Sequence, residues 1–248
     1  GRVCAVKRMT VAAAGLWFIC ACAWAVQAAP RHTISDGERA AASWAVQNLV
    51  SRHDYLHAVD RNMEEIESDW VSPTGAFAAT ATFGSPDWML VGMDSIVKNY
   101  GKTTREGTLA ALHRLSEIDA TVKDVPDNFG AGAPVYLHTN TTPIIEIAGD
   151  GKTAQGVWYT PGLDLTPVIQ DGKIHVRGQL SYQKLGVDFV KENGSWKIWH
   201  LLVAFDFSPP LPDQMLAPIT TKLGELASTE PVRPETRVGR PTAIPVDQ

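Results

Sequence analysis

The sequence predicts an α+β fold in which N-terminal helices pack into a strongly curved, mostly antiparallel sheet, forming a cone with an internal pocket. Two observations carry that expectation. Between residues 36 and 70 apolar side chains recur mostly at steps of three and four, the period of a helical face. From Tyr136 to Phe207 the pattern changes to strand-like runs separated by Asp150-Gly151, Asp171-Gly172 and Asn193-Gly194, dipeptides suited to tight hairpin turns. Helices followed by a hairpin meander argue against parallel βαβ units.

Ser35-Asp36-Gly37-Glu38 has the S-x-x-E form of a capping box, so a helix starts after Ser35. Its buried face is read as Trp44, Leu49, Leu56, Val59, Met63, Ile66 and Trp70. Asn62 followed by Glu65 has the form of a second N-cap and its partner, which splits the run into two helices near Asp60. Two short strands, 77–83 and 88–91, are joined at Gly84-Ser85-Pro86. Asp94 then caps a helix over 95–118, weakened by Gly101 and Gly107. A polar, Gly-rich loop at 123–132 leads into the central hairpin, 136–162.

The first strand of that hairpin is rich in β-branched residues. A type I′ turn is expected at Asp150-Gly151, and a short second strand, 153–160, is expected to stop at Pro161-Gly162. His138 falls in phase with Asn140, so both share a face, and His138 is expected inside the pocket. A further strand spans 173–190, with Gly178 and Gly186 as bends. The last and most apolar strand, 196–207, is expected to be buried on both faces for much of its length.

The chain has 248 residues and a formal charge of −5. No Lys/Arg cluster suggests a nucleic-acid footprint, so nucleic acid is not an expected partner. Residues 1–29 have the form of a secretion signal: basic Arg2, Lys7 and Arg8, an apolar stretch at 11–25, and a small-residue cleavage site at Val26-Gln27-Ala28. Ile19-Cys20-Ala21-Cys22 matches a lipoprotein box poorly, so export with plain cleavage to a periplasmic or secreted form is expected. Cys4, Cys20 and Cys22 all lie in this leader, so the domain at 30–209 has no disulfide or thiolate chemistry. Residues 210–248 are read as a short docking helix followed by a disordered Pro-rich tail.

Three stretches resemble the SnoaL-like branch of the nuclear transport factor 2-like superfamily. They are the segment from Tyr55 to Asp60, His138-Thr139-Asn140 with the run from Pro143 to Trp158, and the closing hairpin from Gly186 to Ile198. The resemblance covers about residues 40–209. It implies the cone fold, but only a range of reactions, because the superfamily hosts dehydratases, isomerases, cyclases, hydrolases and non-catalytic members.

The resemblance also implies a site. In the dehydratases of this family a helix Tyr and Asp face a strand His across the cone, and the matching positions are Tyr55, Asp60 and His138. A neutral imidazole can take a proton from carbon α to a carbonyl, a carboxylate behind it fixes its tautomer, and a phenol donates to the oxygen where charge develops. Five residues on a straight helix stand about 140° apart, so Tyr55 and Asp60 reach one cavity only if the helix ends or bends between them. Asp188, His200 and Trp158 are weaker candidates for lining the pocket. His57 and His113 are read as helix-surface residues, and the histidines lack metal-ligand spacing. No Gly-rich phosphate loop is present, and no cofactor is expected.

The expected activity is a cofactor-independent lyase or isomerase acting on a small apolar, carbonyl-bearing molecule of steroid, polyketide or aromatic type. The alternatives are a non-catalytic binding module in the same cone and an association domain. A homodimer through the outer sheet face is expected in either case.

Overall fold

The computed structural model describes residues 33–58, 60–120, 122 and 135–216. The expected secretion signal and the Pro-rich tail lie outside the described residues. Helix α1 (Asp36–Ala58) begins with the capping box: Glu38 Oε2 accepts from the Ser35 backbone N–H at 2.8 Å, and Ser35 Oγ accepts from the Glu38 N–H at 3.3 Å. The chain breaks where Asp60 takes a left-handed φ of 56°, and α2 (Asn62–Asp69) follows. Asn62 is the first residue of α2 rather than its cap, and its side-chain N–H donates to the Tyr100 carbonyl at 3.1 Å.

A 3-10 turn (Ala78–Thr80), β1 (Thr82–Ser85) and β2 (Trp88–Val91) come next. The following helix is expected as one piece but runs in three registers: α3 (Met93–Ile96), a π-type stretch (Val97–Thr103) and α4 (Thr104–Ser116). Gly101 sits in the π stretch because a Cβ there would meet Met63 Sδ at 2.4 Å, so its lack of a side chain lets α2 pack close.

Five strands complete the fold: β3 (Val135–His138), β4 (Thr141–Ile147), β5 (Thr153–Gln170), β6 (Lys173–Glu192) and β7 (Ser195–Phe207). The sheet order is β2-β1-β7-β6-β5-β3, with β4 also on β5, and the pairing is antiparallel except between β1 and β7. Two expectations about the central hairpin are corrected. Pro161-Gly162 does not end its second strand, because β5 runs on to Gln170 with β6 paired along its whole length. The partner strand is split instead, with β3 against Gly162–Leu165 and β4 against Ala154–Tyr159. The turn is also different: only Gly151 has positive φ, and its N–H donates to the Ala148 carbonyl, so Gly149 and Asp150 form the corner. Tight turns do form at Asp171-Gly172 and Asn193-Gly194, where both residues have positive φ, the type I′ geometry expected at Asp150-Gly151 instead.

The helices cover one face of the curved sheet. Val46, Leu49, Val50, Ile66, Trp70 and Ile96 bury themselves against Trp158, Leu185, Phe189, Ile198 and Leu201. Each large side chain removed from water contributes roughly 1.5–3 kcal/mol. The buried stripe of α1 is Ala42, Val46, Leu49, Val50, His53 and Leu56; Trp44, expected on it, is 69% exposed. The last strand is buried on one face only and becomes exposed towards Phe207. A smaller cluster joins Leu165 to Leu211 and Leu216, the end of the described chain. Among the described residues no helix is long and apolar enough to cross a membrane, which says nothing of β-barrels.

Candidate active site

A cavity of about 260 Å³ opens between the helices and the inner face of the sheet. Helix α1 supplies His53, Asp54 and His57 to its lining, and the π stretch supplies Tyr100. Strands supply Tyr136, His138, Asp164 and Gln183, with Phe83, Trp88, Leu185, Val203 and Phe205 as apolar walls. The lining is thus mainly apolar and aromatic, with a few convergent polar groups, as in small-molecule sites generally.

His138 lies in this cavity as expected, but its carboxylate is Asp164. The His138 Nε2 and Asp164 Oδ1 atoms are 2.9 Å apart. Asp164 Oδ2 accepts a second bond from Gln179 Nε2 at 3.1 Å. Burial alone would raise the Asp164 pKa; the hydrogen bonds from His138 and Gln179 outweigh it and hold the pKa below the ordinary carboxylate value. Because a carboxylate only accepts, the His138 proton sits on Nε2, leaving the Nδ1 lone pair as the basic position. The Gln183 amide nitrogen is 3.3 Å from both Nδ1 and Nε2, so it makes no N–H bond directed at Nδ1 and a substrate proton can compete for that lone pair.

Gly162 makes this pairing possible. It is the β5 partner of His138, and a Cβ there would come 2.3 Å from His138 Cδ2 and 2.6 Å from the Leu137 carbonyl. Gly162→Ala is expected to push the ring off Asp164 and destabilise the fold by about 1–3 kcal/mol through overpacking. A thermal unfolding curve unchanged from wild type, with the His138 imidazole resonances unmoved, would contradict this.

The triad expected from sequence does not assemble. Asp60 Oδ2 accepts from Arg105 Nη1 at 3.1 Å, and the helix break turns its carboxylate to that side. It remains close enough to help raise the Tyr136 phenol, whose pKa is shifted up first by burial and then by Asp164 and Asp60. Tyr55 does not line the cavity: it is 57% exposed, on an adjoining groove with Ser51, Leu137 and Thr139 that shares Asp54 and His138 with the cavity. Trp158 is buried in the core under α1, its indole N–H donating to Gln47 Oε1 at 2.8 Å.

Asp188 and His200 are on the sheet face opposite the cavity. There His200 Nδ1 meets Asp188 Oδ2 at 3.0 Å. Asp188 faces out by the plain alternation of β6, whereas His200 is turned there by a bulge: Phe189 pairs with Ile198 and Asp188 with His200, so Trp199 is an extra residue that reverses the in–out phase of β7.

Besides Asp164, the residues that sequence reasoning missed include a cluster from α1, α2 and the π stretch. Glu65 is fully buried, and His53 Nδ1 donates to its Oε1 at 2.9 Å. Trp70 Nε1 donates to Oε1 at 2.7 Å, and Tyr100 OH donates to Oε2 at 2.6 Å. Burial alone would lower the His53 pKa; the Glu65 carboxylate overrides it and raises the pKa to about 9. Burial alone would raise Glu65, and His53, Tyr100 and Trp70 together bring it below its usual value. Tyr100 is driven well above its usual value, by burial first and then by the Glu65 charge.

His57 stacks between His53 and Tyr136, with ring centroids 5.7 and 5.5 Å away. Burial and the neighbouring His53 and His138 push its pKa down to about 4, so it is neutral at physiological pH. Burial raises Asp54 to about 6, although Asn140 Nδ2 donates to its Oδ2 at 2.5 Å. The signal for this cluster was present in the sequence, since His53 falls on the same stripe as Val46, Leu49 and Leu56. Among the described residues no three His, Cys, Asp or Glu side chains converge as metal ligands.

A buried imidazole–carboxylate pair in an apolar cavity between helices and a curved sheet is now in place, and the SnoaL-like domain model matches residues 38–201. The chain belongs to the SnoaL-like family. No curated protein sequence matches it. Among solved structures, this SnoaL-like chain is similar to a hexachlorocyclohexane dehydrochlorinase (LinA) type 2, with 14% identity, 72% of this chain and 94% of that one covered, and a TM-score of 0.44. It is also similar to the LinA-type3 enzyme from Novosphingobium barchaimii LL02, with 16% identity, coverage of 71% and 94%, and a TM-score of 0.45. A scytalone dehydratase candidate from Novosphingobium aromaticivorans DSM 12444 gives 12% identity, coverage of 72% and 93%, and a TM-score of 0.48. At these identities and scores, the likenesses carry no argument about activity.

Proposed function

We propose that this SnoaL-like protein is a lyase or isomerase that removes a proton from carbon α to a carbonyl in a small, largely apolar molecule. His138 is the general base, and Asp164 fixes its tautomer and stabilises the imidazolium that forms. The observation that carries this reading is the 2.9 Å His138–Asp164 contact inside a cavity walled by Phe83, Trp88, Leu185, Val203 and Phe205. Elimination of a β-leaving group and migration of a double bond share the same first step, so both begin with loss of the α-proton to His138 Nδ1.

That shared step can be read without knowing the product. Small aromatic and alicyclic ketones are incubated with the protein in D2O, and loss of the α-proton signal is followed by NMR. Exchange faster than in buffer is expected for ketones that fit the cavity. No acceleration with any of them would sink the proposal.

We propose in addition that the chain pairs with a second copy through the outer sheet face. Support comes from an exposed aromatic ladder there: Tyr182 stacks on Phe207 with centroids 5.1 Å apart, beside Tyr159 at 5.9 Å, and Val157 and Leu202 are also exposed. Light scattering is expected to give twice the monomer mass for wild type and the monomer mass for Tyr182→Glu; a monomeric wild type contradicts it.

A further inference from the structure

The base and its carboxylate come from the strands. The cavity also meets a second imidazole–carboxylate pair, contributed by the helices. His53 lines the cavity, and its Nδ1 is committed to Glu65 behind it. Nε2, on the far side of the ring, has no hydrogen-bond partner among the described residues. Glu65 is not a loose counter-ion. It is held by three donors, from His53, Trp70 and Tyr100, so it stays a carboxylate and keeps a positive charge on the imidazole favourable.

We propose that His53 is a second catalytic residue, whose Nε2–H donates to a substrate oxygen that carries or develops negative charge, so that the cavity selects enolates and phenolates over neutral apolar ligands. The proposal deepens the reading above and rests on it for the position of the base. An α-proton abstracted by His138 leaves its electron pair on the carbonyl oxygen. A fixed donor waiting for that oxygen in an apolar site lowers the barrier far more than water would. His53 from α1 and His138 from β3 both line the cavity, so one ligand can meet both.

The groups facing His53 support its role. Asp54 and His57 adjoin it on α1, Glu65 and Asp69 face it from α2, and Tyr100 and His138 close the remaining sides. The carboxylates outweigh the neutral His57, and the ring is protonated up to about pH 9. An aliphatic ligand with no acceptor oxygen would leave that charged N–H buried and unanswered, which is the basis for discrimination.

A binding measurement tests this separately from turnover. 4-Nitrophenol changes its visible absorbance on ionisation, and it is titrated with pH in the presence of saturating protein. The bound probe is expected to ionise at a pH at least about one unit below the free probe, a tenfold preference for the phenolate. His53→Gln, which keeps a donor to Glu65 but carries no charge, is expected to abolish the shift. The wild-type titration is decisive by itself if that variant fails to fold. Failure to bind the probe, ionisation at or above the pH of the free probe, or a shift that persists in His53→Gln would overturn the proposal. None of these outcomes depends on α-proton exchange, so the base assignment to His138 stands or falls by its own experiment.

Discussion

Glu65→Ala is expected to cost the fold about 3–5 kcal/mol, because it strands a buried imidazolium without its counter-ion. The side chain it removes is fully buried and also accepts from Tyr100 and Trp70, so two more donors lose their acceptor. In a domain of this size that loss corresponds to a fall in Tm of roughly 6–20 °C. Urea denaturation of wild type and variant measures it; a difference below about 1 kcal/mol would show that the hub contributes little. The pH dependence has a definite sign. His53 goes from 6.5 unfolded to about 9 folded, so its contribution is complete below pH 6.5 and disappears as pH rises through 9. His57 has the opposite shift, from 6.5 to about 4, so stability also declines as pH falls through that window. Wild type is therefore expected to lose stability on both sides of neutrality, and removing Glu65 flattens the alkaline limb.

His138→Ala is expected to lower α-proton exchange by about 10²–10⁴-fold, the range by which a positioned base accelerates such a step. The expected cost to stability is small by comparison, since the ring is partly exposed to the cavity and Asp164 keeps its bond from Gln179. Tyr55→Phe serves as the contrast. Its side chain is 57% exposed and does not line the cavity, although the groove it lines adjoins His138, and exchange within a few-fold of wild type is expected. A His138→Ala variant that exchanges at the wild-type rate would remove the base from the account. A large effect of Tyr55→Phe would restore the phenol to it.

The fold was legible because its signals are local. The capping box at Ser35, the break near Asp60 and the turns at Asp171-Gly172 and Asn193-Gly194 are each decided by a few neighbouring residues. The site was less legible because it depends on register. The β7 bulge at Trp199 moves His200 to the outer face, beside Asp188, and no local feature of the sequence announces it. Asp164 was passed over because Pro161-Gly162 reads as a strand end, whereas Gly162 serves to make room for the His138 ring. Glu65 read as the capping partner of Asn62, and His53 drew no reading of its own. Their pairing needs α1 and α2 folded back on each other, a long-range fact that a one-dimensional period does not contain.

The most direct test of the His138–Asp164 assignment compares α-proton exchange by Asp164→Asn and Asp60→Asn. An asparagine at 164 can donate to His138 Nε2, which moves the ring proton to Nδ1 and removes the basic lone pair from the position facing the substrate. A loss of up to about 10⁴-fold is expected, as when a triad histidine is held in the wrong tautomer. Asp60→Asn only exchanges the partner of Arg105, and exchange within a few-fold of wild type is expected. Abolished exchange in Asp60→Asn with full exchange in Asp164→Asn would contradict the assignment and return the role to Asp60.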